Sequence, residues 1–103
     1  MYKVVVFVPV DKADEMRRVI AEAGGGEMGN YSHCSFSSRG IGRFKPLAGA
    51  NPAIGEVGKL EAVEEERIEF VCEYSLLKKV LSDIRSAHPY EEPAIDVLRR
   101  EQV

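Results

Sequence analysis

Apolar runs and helical stripes alternate along this chain. Tyr2 to Pro9 is an unbroken β-branched and aromatic run, the pattern of a strand buried on both faces or central in its sheet. Ala13, Met16, Val19, Ile20 and Ala23 then recur at helical spacing, with Arg17, Arg18 and Glu22 on the other side. Asp11 or Asp14 is placed to cap that helix, and Gly24-Gly25-Gly26 to end it. A second strand is predicted from about Asn30 to Ser37, followed by a long ordered loop over 39–59, where five glycines and two prolines break the pattern. Strand character returns from Leu60 to Cys72, longer than the usual ~5–6 residues and so expected to project beyond the domain body. Leu76, Leu77, Val80, Leu81, Ile84 and Ala87 trace a second helical stripe with Ser75 as its candidate cap, and a last strand is predicted from about Ala94 to Arg100.

The resulting order is βαββαβ. Two right-handed βαβ crossovers leave an α+β, ferredoxin-like sandwich: a four-stranded antiparallel sheet with two helices on one face. At 103 residues the chain is expected to be a single domain, 1–103. The sheet face without helices needs a cover, and self-association is the expected solution.

Composition narrows the partners. The net charge of −3 lacks the basic footprint that nucleic acid requires. Charge is uneven: residues 1–60 carry eight Lys/Arg against six Asp/Glu, whereas residues 61–103 carry six against eleven. Much of that acidity is Glu61, Glu64, Glu65, Glu66 and Glu69, a run expected to form a solvated face. Cys34 and Cys72 read as reduced packing residues that approach each other on the second and third strands. The run Val4 to Val10 is too short to span a membrane and lacks the flanks of a signal peptide, so the expected location is cytoplasmic with no membrane partner.

Chemistry concentrates in His88-Pro89-Tyr90-Glu91-Glu92-Pro93. Proline drives the residue before it out of the helical region, so His88 should end a helix and Glu92 should be extended. His88, Tyr90, Glu91 and Glu92 are therefore candidates to hold a cation, a polar ligand or a neighbouring subunit. For a divalent metal ion, the only cofactor with candidate ligands, the set would be His88 with Glu91 or Glu92, which face opposite ways if extended, completed by His33, Cys34 or a second subunit. The competing reading has His88 closing the helix and the glutamates bonding backbone amides or a subunit contact. Within 39–59, Arg43, Phe44 and Lys45 lie among glycines that could approach an anion. The spacing matches neither a P-loop nor a dinucleotide fingerprint, and a self-packed loop anchored by Phe44 and Pro46 is preferred. No nucleophile and base are spaced for catalysis, so the chain is not expected to be an enzyme.

His88-Pro89-Tyr90-Glu91-Glu92-Pro93 with Asp96 resembles the segment before the last strand of CutA-type divalent-ion tolerance proteins. The frame Gly40, Gly42, Phe44, Pro46, Gly49, Pro52, Gly55, Gly58, followed by Leu60-Glu61, Glu65, Arg67-Ile68-Glu69, resembles the CutA-like, PII-like insert domain of the NGG-interacting-factor-three (NIF3) family, in a stand-alone version. The resemblance covers roughly residues 1–100, with Tyr31, Cys34 and Phe36 included. It implies a ferredoxin-like fold, trimeric assembly as in CutA and PII proteins, and a central hairpin reaching a neighbouring subunit. It implies no catalysis, since the dinuclear-metal chemistry of the larger family belongs to its main domain. The expected function is a small homo-oligomeric binding or regulatory module taking a small ligand or a partner protein. The alternatives are a divalent-metal-binding protein using His88 and nearby carboxylates, or a purely structural oligomerisation domain.

Overall fold

The computed structural model describes residues 1–101. The β-branched run forms β1, Tyr2–Pro9. A 3₁₀ turn over Val10–Lys12 leads into α1, Ala13–Glu22. Next come β2, Phe36–Phe44, β3, Glu61–Cys72, α2, Tyr74–Ala87, and β4, Ile95–Arg99. The strands lie in the order β2-β3-β1-β4, with every neighbouring pair antiparallel. This is the expected ferredoxin-like α+β arrangement.

Register determines what each face carries. Val4, Val6 and Val8 stand opposite Phe70, Ile68 and Glu66, on the face that packs against Met16 and Ile20 of α1 and Val80 and Ile84 of α2. Both helices therefore cover one face. Lys3, Val5 and Phe7 of β1, Glu65, Arg67 and Glu69 of β3, and Phe36 and Phe44 of β2 lie on the other, without a covering layer. β1 pairs with β3 only as far as Pro9↔Glu65, whereas β2 follows β3 to Phe44↔Glu61. The end of the hairpin thus runs on beyond the sheet, as the length of the third strand predicts, and the molecule extends 47 Å along its longest axis. At the far end of β1, Tyr2 pairs with Arg99, and the Arg100 N–H donates to the Met1 carbonyl at 3.2 Å.

Several local expectations are corrected. The second strand starts at Phe36 and takes in Arg39 to Phe44, which the glycine content assigned to a loop. Pairing to β3 supplies the order that local propensity lacks. Residues 26–35 instead form a loop held by the Cys34 N–H donating to Gly26 O at 2.9 Å and by a Met28–Tyr31 bridge. Cys34 therefore precedes β2 and is not on a strand paired with that of Cys72. Both thiols are free, and burial pushes that of Cys72 up. Neither Asp11, Asp14 nor Ser75 caps a helix: the N-caps are Lys12 and Glu73, without side-chain bonds, and Asp14 pairs with Arg17 instead. The acidic run is not uniformly solvated, because alternation turns Glu65 and Glu66 to opposite faces and buries both. Glu66 accepts from Arg17 of α1 at 2.6 Å, and that bond raises the guanidinium pKa still further.

Candidate ligand cleft

Pro89 stops α2 at Ala87 and leaves His88 extended at φ −73°, ψ 134°, as the sequence predicts. The imidazole then turns back under β1. Its Nε2 lies 2.7 Å from the Phe7 carbonyl, and the Tyr90 N–H donates to its Nδ1 at 3.1 Å. A backbone N–H can only donate, so Nδ1 carries the lone pair and Nε2 the proton. The residue is neutral, and neither nitrogen is free for a metal ion. Burial lowers its pKa below the ordinary 6.5, against a smaller upward pull from the Phe7 carbonyl and the Glu65 charge.

That shift has a sign. Above pH 6.5 the imidazole is neutral in folded and unfolded chains alike, and its stabilising contribution is complete. As pH falls below that value the unfolded chain takes up a proton that the folded chain resists, so stability is lost through the lowered folded pKa. Thermal melts from about pH 7.5 to about pH 5 should show a Tm that declines on acidification, and the decline should be flatter in His88→Gln. Parallel slopes in the two proteins would contradict this account.

Tyr90 carries the segment across the open sheet face. Its hydroxyl donates to Glu65 Oε2 at 2.8 Å, and its ring lies against Phe44 and His88, with centroids 5.9 Å and 5.1 Å away. Burial, reinforced by the Glu65 carboxylate, holds the phenol protonated far above its usual range. Gly42 lies beneath the Glu65 carboxylate, which occupies the space a Cβ would need. The chain from Lys45 to Leu60 folds on itself through the Gly58 N–H donating to the buried Pro46 carbonyl at 2.8 Å, so Phe44 and Pro46 anchor it as expected. It is tied to the proline segment by the Asn51 N–H, which donates to Glu91 Oε1 at 3.2 Å.

Between them these parts enclose an open cleft of about 320 Å³, with Phe7, Phe44, Pro46, Glu65 and Tyr90 in its lining. Glu91 and Glu92 both border it, residues 89–92 forming a bend ahead of β4. Arg43 and Lys45 border it as well, with exposed side chains. His33 lies elsewhere. It is exposed, bonds Ser32 Oγ at 2.9 Å, and lines a different cleft with Arg17 and Cys34. Among the described residues no group of three or more His, Cys, Asp and Glu could hold a metal ion. Sequence reasoning missed Phe7, Gly42 and Glu65. For Glu65 the signal was the acidic run itself, since a strand cannot send consecutive glutamates to one side.

No family model matches the chain. Over 100 residues, 97% of this chain, it is 50% identical to the GTP cyclohydrolase 1 type 2 homolog of Bacillus subtilis, of which it covers 27%. It superimposes on a Bacillus cereus protein related to NIF3 with a TM-score of 0.85 and 50% identity, covering 98% of this chain and 26% of that one. The chain is homologous to a segment of NIF3-family proteins. It spans about a quarter of the length of these relatives. In fold the chain also matches the PII-like protein CutA from Nostoc sp. PCC 7120, with a TM-score of 0.71 at 14% identity, over 98% of this chain and 82% of that one. The expected likeness is therefore met in sequence by the segment of NIF3-related proteins and in shape by the CutA fold.

Proposed function

We propose that this chain is a non-catalytic binding module that associates with itself, as a trimer, and presents the cleft at or near the subunit junction. The observation that carries the reading is the uncovered sheet face, continued by a hairpin whose apolar residues lie in solvent. Phe36 is 68% exposed, Leu47 71% and Leu60 74%. Large exposed apolar side chains on an uncovered sheet face and on the loop that prolongs it mark an interaction site. The likeness to CutA-type and PII-like folds supports the same reading. Two groups suited to catalysis are otherwise engaged: the His88 nitrogens bond the backbone, and the Cys72 thiol is buried and held protonated. The two free thiols favour the cytoplasm as the module's location.

Native mass spectrometry and sedimentation velocity test this reading. The unmodified chain should run as a trimer at micromolar concentration. Phe36→Glu should shift it towards monomer, with a change in monomer stability within about 0.5 kcal/mol, as for exposed positions generally. A strictly monomeric unmodified chain would overturn the proposal.

A further inference from the structure

Glu65 is an unusual carboxylate. It is only 8% exposed, yet among the described residues it receives a single hydrogen bond, from Tyr90 to Oε2. Arg67, the cation on the same strand and face, pairs with Glu69 at 3.5 Å and lies over the Phe7 ring. No fully buried side-chain oxygen among the described residues lacks a partner, so the unbonded Oε1 opens to solvent in the clefts that Glu65 lines. A carboxylate held by one phenol, with its second oxygen open to the cleft, is a ready partner for a positive charge.

The surroundings specify what kind. Phe7, Phe44 and Tyr90 provide ring surface next to the carboxylate, and Glu91 and Glu92 add negative charge at the rim. Arg43 lies between Gly42 and Phe44 in an extended strand, so its side chain projects to the opposite face, and Lys45, the other cation at the border, sets one positive charge against the three carboxylates. Gly42 keeps the floor open: any side chain there would displace the Glu65 carboxylate. Aromatic faces beside a carboxylate are the recognition chemistry of an organic cation.

We infer that the cleft binds a small organic cation, a protonated amine or guanidinium, whose charged head pairs with Glu65 Oε1 while its carbon stem lies against Phe7, Phe44 and Tyr90. The inference rests on reading the chain as a binding module, but not on its self-association. Calorimetric titration of the full chain with agmatine and putrescine, with butan-1-ol as the uncharged control, tests it. Agmatine or putrescine should bind saturably, one per chain, and butan-1-ol should not. Glu65→Gln, whose amide oxygen still accepts from Tyr90, should weaken cation binding by about tenfold or more, the usual scale for a hydrogen bond to a charged group.

Equal affinity in Glu65→Gln would overturn the inference, as would no saturable binding of either cation up to about 10 mM. So would dissociation of an oligomer by Glu65→Gln without any cation binding, since the carboxylate would then be serving a side chain of a second copy. If Glu65→Gln does not fold, the contrast between charged and uncharged probes on the unmodified chain decides. Sedimentation of the same samples separates the two readings. An oligomer indifferent to both cations overturns this inference alone, and a monomer that binds them overturns self-association alone.

Discussion

Replacing His88 with alanine should lower the free energy of unfolding by about 3 kcal/mol and Tm by roughly 10–20 °C, the scale for a domain of this size. β4 begins at Ile95, and the Phe7 N–H still reaches the Ala94 carbonyl at 3.2 Å, but the Phe7 carbonyl bonds the imidazole instead. Alanine would leave that carbonyl and the Tyr90 N–H without their partners in a buried region, at about 1–3 kcal/mol each, and would open a void beside the Tyr90 ring. Chemical denaturation measures the loss. His88→Gln should recover about half of it, because the longer amide can still donate to the Phe7 carbonyl. If alanine proves as stable as the parent, the imidazole is not the strand's substitute partner.

Gly26→Ala should be comparably damaging, about 3 kcal/mol, through the backbone. Gly26 is buried at φ 80°, donates to the Val71 carbonyl at 2.8 Å and accepts from the Cys34 N–H at 2.9 Å. A side chain there would meet the Cys34 carbonyl oxygen and would also carry the strain of left-handed backbone, about 1–2 kcal/mol. Because the obstacle is backbone, relief requires the 26–35 loop to move off the edge of β3. Hydrogen exchange should report this as lost protection at Cys34. Gly40→Ala is the internal control, since a Cβ there meets nothing within 4 Å and its effect should stay within about 0.5 kcal/mol. Similar losses at both glycines would show that the contact with Cys34 is not what matters.

The parts of the fold that were legible are those whose order comes from local pattern. Both helices, the apolar β1 and the overlong β3 follow from spacing alone. β2 does not, because Ser37 to Gly42 carries no alternation of apolar and polar residues and becomes a strand through its pairing to β3. The opposite error arose at Tyr31, which falls within the strand predicted over 30–37 although it lies 76% exposed in a loop. The site divides along the same line. His88, Tyr90, Glu91, Phe44 and Lys45 were found because proline and glycine mark the backbone around them. Phe7 and Glu65 were hidden in runs that look uniform, and the bonds they make reach residues 81 and 25 positions away. Separations of that kind leave no local trace.

The bond between Met1 and Arg100 bears on how such a unit can be carried. Tyr2 and Arg99 are direct partners, so two strands leave the sheet side by side at one end of β1. Paired strands of this kind lie about 5 Å apart, the width of a tight turn. A larger protein could accept the unit at a surface turn without separating the strands that flank it. Phe7 and the cleft lie toward the opposite end of β1, five residues or roughly 17 Å along the strand from Tyr2, and the hairpin extends beyond them. Grafted in this way, the unit would hold its cleft and hairpin out from the host, where neither host folding nor host chemistry would need to accommodate them.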